Sequence, residues 1–338
     1  MNLLPLLSKA VLRPLSESDA REAALALMSG DVPPAQAGGL LSALRVRGEN
    51  SGEILGFARA LREHAAPALP ALEGLIDTCG TGGDGLGTFN VSTLAGIVAA
   101  ACGARVAKHG NRAVSSRCGS ADLLESLGVR IDGPPAVARK CVDEAGFGFL
   151  FAPHYHPTLR QLAPLRRELG FRSIFNLVGP LANPARVRRQ VVGVPSVAYL
   201  RPMAEALLSL GVDHALVVHG DDGVDEVSLT RFTTVVEVRP EGILTRVIHP
   251  EDAGLVPCRL EEIAGGDVNQ NLAIATRILD GQRGPAHDFV VLNTAAALLV
   301  AARAGSLREG AEMARDALLS GRARGVLDTV RRVSQEAA

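Results

Sequence analysis

A glycine-rich stretch at residues 80–85, Gly-Thr-Gly-Gly-Asp-Gly, is the first place where the chain could bind an anion. It follows a short apolar run that predicts a strand, and Asn90, Ser92 and Thr93 begin the next predicted helix. Glycines let the backbone approach a ligand closely, and a helix N-terminus presents unpaired N–H groups to phosphate. The loop has neither the Lys-Ser/Thr of a Walker A motif nor the spacing of a dinucleotide-binding motif. A plain tight turn is the alternative interpretation, but Asp84 indicates a metal ion or a ribose hydroxyl nearby.

A second polar loop, residues 108–120, follows the next predicted strand. Its sequence, Lys-His-Gly-Asn-Arg-Ala-Val-Ser-Ser-Arg-Cys-Gly-Ser, concentrates cations, hydroxyls and glycines. Lys108 supplies a point charge, and the serines and glycines supply hydroxyl and amide donors, a combination that suits phosphate. A solvated basic turn is the alternative. Because ligands of open α/β sheets bind outside the carboxyl ends of the strands, we expect both loops to border one site.

The adjacent carboxylates Asp225 and Glu226 follow a later predicted strand, His-Ala-Leu-Val-Val-His-Gly. Magnesium is a hard cation that prefers oxygen ligands, so this pair is a candidate metal site. Adjacent acids are also common on protein surfaces, which is the alternative interpretation.

An arginine-rich segment at residues 156–172 predicts a helix that begins at Pro157. Arg160 and Arg167 are seven residues apart and are expected to share a face, whereas Arg166 points elsewhere. Most helical arginines are solvated, but one of these could form a bidentate pair with a substrate carboxylate.

The elements around these loops predict an α/β fold. Residues 1 to about 70 contain only amphipathic helices, and a Pro-rich stretch near residue 70 marks a boundary. From residue 71 to 338, apolar strands alternate with helices, as expected for a larger domain with a mainly parallel sheet. Residues 170–190 interrupt this alternation with two Pro and two Asn, so we expect them to return to the helical domain.

Composition and charge exclude several functions. A formal net charge of −1 and only 3% aromatic residues argue against a nucleic-acid-binding surface. The most apolar helix, residues 289–302, is shorter than the roughly 20 residues needed to cross a bilayer, and predicts a buried core helix. The five cysteines form no CxxC pair or zinc pattern. We therefore expect an intracellular protein that binds phosphate at a local site, without membrane or nucleic-acid partners.

Five motifs occur in order along nearly the whole chain: GTGGDGLGTFNVST, KHGNRAVSSRCGS, HPTLRQLAPLRRELGFRSIFNLVGPLANP, GVDEVSL and GGDVNQNLAI. Together they resemble the anthranilate phosphoribosyltransferase family of tryptophan biosynthesis. The resemblance implies a small helical domain beside a larger α/β domain that binds phosphoribosyl pyrophosphate. It also implies two Mg²⁺ ions per active site, a homodimer formed through the helical domains, and a cytoplasmic location. Thr78-Cys79 and Cys118 are small departures from the family pattern.

The same resemblance assigns roles to individual positions. In the first loop, the residues that would hold phosphoribosyl pyrophosphate are Gly80, Gly83, Asp84, Thr88, Asn90, Val91, Ser92 and Thr93. In the second loop they are Lys108, Gly110, Asn111, Ser115, Ser116 and Ser120. The metal ligands would be Ser92, Asp225 and Glu226, and the residues near anthranilate would be His109, Asn111, His156 and Arg166. The candidate catalytic residues are Arg166, His109 and Lys108, and the choice of Arg166 over Arg167 depends on motif alignment.

In the implied reaction, breaking of the C1–O bond leads, so the enzyme should stabilise the departing pyrophosphate with preorganised donors and metal. The aromatic amine is neutral near pH 7 and needs no strong base, so we expect its proton to leave late, to the substrate carboxylate or to solvent. Whether His109 acts as a general base stays open. Two alternative functions are a pyrimidine nucleoside phosphorylase-like enzyme, which would bind free phosphate, and a non-catalytic homologue that binds nucleic acid.

Overall fold

The N-terminal part of the chain is helical, as predicted. The computed structural model describes residues 2–66, 72–113 and 117–336. Its first four helices are α1 (Leu4–Leu12), α2 (Glu17–Ser29), α3 (Pro34–Arg47) and α4 (Ser51–Glu63). The Ser16 side chain caps α2 by accepting from Asp19 N, and Gly30 ends it with a φ of 78°. An Asn50–Glu53 capping box begins α4.

Seven strands form one sheet: β1 (Leu75–Thr78), β2 (Arg105–Gly110), β3 (Phe147–Phe151), β4 (Arg189–Gly193), β5 (His214–Gly220), β6 (Thr233–Arg239) and β7 (Gly242–Ile248). Their order is β3-β2-β1-β4-β5-β6-β7. The five strands β1 to β5 pair in parallel, whereas β6 pairs antiparallel with β5 and β7 pairs antiparallel with β6. The predicted, mainly parallel α/β fold is therefore confirmed. β7 was not predicted from the sequence, because it is an edge strand whose side chains are mostly exposed or half-buried and it lacks an apolar run.

The remaining helices cover both faces of this sheet. They are α5 (Val91–Ala101), α6 (Ser120–Ser126), α7 (Pro135–Ala145), α8 (Ala152–Tyr155), α9 (Ala163–Leu169), α10 (Ile174–Leu177), α11 (Leu200–Ser209), α12 (Val268–Leu279), α13 (Pro285–Val300), α14 (Leu307–Leu319) and α15 (Arg322–Ser334). Short 3-10 turns lie at Pro157–Leu162, Pro180–Ala182, Val197–Tyr199, Pro250–Ala253 and Leu260–Ile263. α13 is buried along most of its length, as predicted for a core helix. Within the described part of the chain, no helix is both long and apolar enough to span a membrane.

Alternate residues of the central strands face two separate cores. On β4 and β5, Val191 and Leu216 face the core formed with α5, α13, α14 and α15, whereas Val192 and Val217 face α11 and the N-terminal helices. The sheet is thus buried on both faces, and only its edges and the carboxyl ends of its strands are open for ligands.

The segment after α9 packs against the N-terminal helices. Phe175 lies edge-to-face on Phe57 of α4 at a centroid distance of 5.3 Å, and Arg62 Nε donates to the Leu181 carbonyl at 2.5 Å. These contacts support a helical domain that residues 170–190 complete, and the limits of that domain stay a prediction.

The single helix predicted from Pro157 is wrong in one respect: the chain forms a 3-10 turn at Pro157–Leu162 before the α-helix α9. Pro164 explains the break, because it has no N–H to donate and restricts the residue before it. The seven-residue spacing of Arg160 and Arg167 therefore does not place them on one α-helical face. Arg160 is exposed, and its Nη2 donates to the Pro153 carbonyl at 3.2 Å.

Candidate active site

The glycine-rich loop connects β1 to α5 and lies against the end of β4. Thr81 N donates to the Gly193 carbonyl at 2.9 Å, and the Thr81 hydroxyl donates to the same oxygen at 3.2 Å. Gly82 and Gly83 have φ values of 67° and 88°, which L side chains rarely adopt. Because these two residues can take such values, the loop turns sharply at the carboxyl end of β1, as the sequence predicted.

Arg172, which lies between α9 and α10, contacts this loop. Its Nη2 donates to the Thr81 carbonyl at 2.7 Å, and a Cβ added to Gly83 would overlap the guanidinium group. Burial lowers the pKa of Arg172, while the nearby carboxylates of Asp225 and Asp84 oppose that shift. The loop therefore has a cation beside it, and a side chain at residue 83 would have to displace the Arg172 guanidinium.

The start of α5 joins the two predicted loops. Asn90 N donates to Asn271 Oδ1 at 3.2 Å, and Asn90 Nδ2 donates to the Cys118 carbonyl at 3.1 Å. Asn90 Oδ1 and the Thr93 hydroxyl are buried and have no hydrogen-bond partner among the described residues. Val91 is fully buried in the core, so any role in ligand binding must come from its backbone.

Thr88 lies just before this helix, half-buried, and pairs with Ala264 in an isolated β-bridge. The amide N–H of Gly265 adds a hydrogen bond to the Gly87 carbonyl at 2.8 Å. The far end of the glycine-rich loop is thus tied to the segment before α12.

Lys108 points beneath the glycine-rich loop. Its side chain is buried, and Nζ donates to the Thr78 carbonyl at 2.5 Å and to Ser92 Oγ at 3.4 Å. Asp77 lies nearby, where burial raises its pKa to about 6 even though Lys108 acts in the opposite direction. The predicted cation therefore lies at the site, held by the end of β1 and the start of α5.

His109 and His156 form a buried pair with their ring centroids 5.3 Å apart. His109 Nδ1 lies 3.1 Å from the Gly179 carbonyl, and His156 Nε2 lies 3.0 Å from the Ala182 carbonyl, so we assign a proton to each of these nitrogens. Burial, followed by the neighbouring His156, lowers the pKa of His109 to about 3, and burial also lowers the pKa of His156. Both rings are neutral near pH 7, and within the described ranges His109 Nε2 has no hydrogen-bond partner.

The rest of the second loop folds back onto α6. The Ser120 hydroxyl donates to the Asn111 carbonyl at 3.2 Å, and Asn111 Oδ1 accepts from Arg112 N at 2.8 Å. A Cβ at Gly110 would overlap the Ser120 hydroxyl, so glycine is required at this strand end. Ser115 and Ser116 were also predicted to bind phosphate, and they lie outside the described residues.

Three carboxylates meet where the loop after β5 approaches the glycine-rich loop. Burial, followed by the Asp84 carboxylate, raises the pKa of Asp225. Burial, followed by Asp225, raises the pKa of Glu226, and the Ser92 hydroxyl and Lys108 oppose this shift. Asp84 Oδ2 is buried and accepts no hydrogen bond from the part of the chain that the structure describes.

This acidic group fits a divalent cation that takes part of its coordination from elsewhere. Across the described ranges, no three His, Cys, Asp or Glu side chains form a complete metal cluster. The buried Asp84 oxygen and the neighbouring carboxyl groups of Asp225 and Glu226 nevertheless place several oxygen ligands close together. Mg²⁺ suits such a site, because it is usually held by one or two carboxylates together with water and substrate phosphate.

Arg166 is half-buried, whereas its neighbour Arg167 is exposed. The guanidinium carbon of Arg166 lies 5.9 Å from the centroid of the Phe175 ring. Burial, followed by the nearby Arg172, lowers the pKa of Arg166. The structure thus provides a physical distinction between the two arginines that sequence spacing did not provide.

Comparison with known proteins identifies the family. Residues 72–324 match the glycosyl transferase family α/β domain, and residues 6–65 match its helical bundle domain. The anthranilate phosphoribosyltransferase of Rubrobacter xylanophilus is 51% identical, over 96% of this chain and 95% of the relative. The crystal structure of the Thermus thermophilus enzyme superposes with a TM-score of 0.92 at 48% identity, covering 98% of this chain and 99% of that one. The chain belongs to the anthranilate phosphoribosyltransferase family.

The family also includes structures with bound ligands. The Saccharomyces cerevisiae anthranilate phosphoribosyltransferase, in complex with phosphoribosyl pyrophosphate and Mg, has a TM-score of 0.89 at 29% identity and covers 98% of this chain and 97% of that one. The same yeast enzyme has been solved with 4-fluoroanthranilate. Family membership supports the transferase prediction and gives no support to the phosphorylase or nucleic-acid-binding alternatives.

Within this family site, Arg172 is a residue that the sequence reasoning missed. It lies within one of the five motifs, but nothing distinguished it from the other arginines of the segment. The available signal was the adjacent Gly170, which ends α9 with a φ of 67° and turns the chain back towards the sheet. Only the fold brings residue 172 to residue 83.

Proposed function

We propose that this anthranilate phosphoribosyltransferase acts in tryptophan biosynthesis and uses the loops after β1, β2 and β5 as one active site. It would transfer the 5-phosphoribosyl group of phosphoribosyl pyrophosphate to the amine of anthranilate, giving N-(5-phosphoribosyl)anthranilate and pyrophosphate. The observation that carries this assignment of the site is the convergence of Lys108, Ser92 and Glu226, which come from β2, from the start of α5 and from the loop after β5.

The pyrophosphate would lie over the glycine-rich loop and the start of α5. Gly80 and Gly83 allow its oxygens to approach the backbone, and Asn90 and Thr93 have buried polar atoms without partners that a ligand could satisfy. Lys108 and Arg172 would face the charge that develops on the leaving group, where preorganised donors contribute most.

We infer that Asp225, Glu226 and Ser92 hold two magnesium ions, with Asp84 close by. Bound magnesium would neutralise the pyrophosphate and stabilise it as it leaves. The raised pKa values of Asp225 and Glu226 support this assignment, because burial and the neighbouring carboxylates disfavour the charged forms and a bound cation would favour them.

Anthranilate would lie between the histidine pair and Arg166. The guanidinium of Arg166 would pair with the anthranilate carboxylate, and Asn111 would contact the ring substituents. As the C1–O bond breaks and the N–C1 bond forms, the amine loses a proton. His109, with its pKa lowered to about 3, is a weak base near pH 7, which supports release of this proton to the substrate carboxylate or to solvent.

We further propose a homodimer in the cytoplasm. Four apolar residues of α1 and α3 are exposed in the single chain: Leu4, Val11, Leu12 and Val46. A second copy packed on these two helices would bury them. Light scattering on the eluting protein would give twice the chain mass of 35.2 kDa if the proposal is right, and the chain mass itself if it is wrong.

The proposed reaction is tested by following the loss of anthranilate fluorescence with phosphoribosyl pyrophosphate and magnesium, with and without a chelator. Magnesium-dependent loss accompanied by an equal amount of released pyrophosphate is the expected result. Turnover of a nucleoside with inorganic phosphate, without this reaction, would instead favour the phosphorylase alternative.

A further inference from the structure

Asn293 is a buried polar residue of α13. It lies against the loop after β5 that carries Asp225 and Glu226, which we call the acidic loop, and it is not among the proposed ligand-binding residues. Its side-chain amide pairs with the backbone of Val227 in both directions. Val227 N donates to Asn293 Oδ1 at 3.0 Å, and Asn293 Nδ2 donates to the Val227 carbonyl at 3.0 Å. Nδ2 also donates to the Phe289 carbonyl of its own helix at 3.0 Å. The side chain is thus held firmly and can hold Val227 in turn.

The position of Val227 matters because it directly follows Asp225 and Glu226 in the chain. On the other side of these carboxylates, the loop is held by its own turn, in which Asp222 Oδ1 accepts from Val224 N at 3.2 Å. The Val224 carbonyl accepts from Gly220 N at 2.9 Å. Asn293 adds an anchor from a different element, and that helix is part of the buried core.

We propose that Asn293 is a positioning residue that holds Asp225 and Glu226 in place for magnesium. This inference rests on the proposed function, in which these two carboxylates bind the metal. Without the amide pair, both backbone groups of Val227 would lose their partner, and the acidic loop would keep only apolar packing against the core that contains α13. Residues that orient metal ligands typically change metal affinity or activity about 10- to 100-fold when they are removed.

The test compares Asn293→Ala with Thr294→Val. Thr294 is the next residue of α13 and is equally buried, but its hydroxyl donates only within the helix, to the Val290 carbonyl at 2.7 Å. Asn293→Asp is a second variant in case the alanine variant folds poorly. It keeps the volume and the acceptor for Val227 N, but loses the Nδ2 donor.

Two measurements are made on each full-length variant. Hydrogen exchange of the peptide that covers residues 222–229 reports loop order, alone and during magnesium titration with phosphoribosyl pyrophosphate present. The anthranilate fluorescence assay gives the magnesium concentration for half-maximal rate. We expect this peptide to exchange faster in both Asn293 variants than in the wild type. The magnesium concentration for half-maximal rate should rise by about tenfold or more, whereas the KM for anthranilate should stay within about twofold of the wild-type value.

Different outcomes separate this inference from the function on which it rests. An unchanged magnesium requirement in both Asn293 variants, or an equal rise in Thr294→Val, would overturn the positioning role and leave the proposed function intact. Wild-type turnover that is indifferent to magnesium would overturn both the metal site and this inference.

Discussion

Replacement of Arg166 by alanine tests how the substrate carboxylate is recognised, and Arg167→Ala is its matched control. The two residues are adjacent on α9, but the Arg166 side chain is half-buried beside Phe175 and the Arg167 side chain is exposed. A half-buried guanidinium has already lost part of its contact with water. A carboxylate that pairs with this group therefore restores hydrogen bonds that the protein interior does not supply. We expect only the Arg166 variant to bind anthranilate poorly.

The magnitude follows from the kind of contact that is lost. Hydrogen bonds to charged groups contribute about 1.5–3 kcal/mol, which corresponds to about a 10- to 150-fold decrease in kcat/KM for anthranilate. We expect the lower part of this range, because a half-buried pair is still partly screened by solvent. Most of the change should appear as a higher KM, since the carboxylate is bound both before and during the reaction.

The assay is anthranilate fluorescence at saturating phosphoribosyl pyrophosphate and magnesium, with thermal unfolding as a check that each variant is folded. Arg167→Ala should stay within about twofold of the wild-type kcat/KM, as expected for an exposed residue. An equal loss in both variants would refute the distinction drawn from burial. A loss confined to Arg167→Ala would show that the other arginine binds the carboxylate.

Three further predictions concern the loops around the site. Gly83→Ala should raise the KM for phosphoribosyl pyrophosphate more than Gly85→Ala does. Both glycines have a positive φ, but of the two only a Cβ at Gly83 would overlap the Arg172 guanidinium. Equal KM values in the two variants would contradict this prediction. His109→Ala should lower kcat less than about tenfold, because its pKa of about 3 makes it a weak base; a loss of ~10²–10⁴ would identify a general base. The folded pKa of His109 is lowered, so the unfolded chain binds the extra proton and stability falls as pH drops below 6.5. Between pH 7 and 5, the free energy of unfolding of His109→Gln should therefore fall by about 2 kcal/mol less than that of the wild type, as measured by urea titrations at both pH values. An equal fall in the two proteins would refute this prediction.

The parts of the fold that could be predicted from sequence are those determined by local pattern. Short apolar runs predicted the strands β1, β2 and β5, and the carboxyl ends of these three strands carry the polar loops as expected. β7 was missed because its residues are largely exposed and lack a strong apolar pattern. The predicted helix from Pro157 was too long because Pro164 interrupts it and lies in the first turn of the separate helix α9.

The parts of the site that could not be predicted depend on contacts between distant residues. Arg172 reaches Thr81 across 91 positions, and Asn293 reaches Val227 across 66. Arg172 is one of several arginines in its segment, and no local pattern pairs Asn293 with Val227. Such anchors become visible only when the fold places a buried side chain against the backbone of a loop.

The charges of the site give a reason why metal and substrate should bind together. Asp84, Asp225 and Glu226 crowd near the glycine-rich loop, with Lys108 and Arg172 as the nearby cations. Pyrophosphate is itself strongly negative, so its entry alone would add repulsion to carboxylates whose pKa values are already raised. Magnesium between the carboxylates and the phosphate oxygens would turn this repulsion into attraction. The coupling must be reciprocal, so magnesium should bind more tightly when phosphoribosyl pyrophosphate is present, by the same factor as the substrate gains from magnesium.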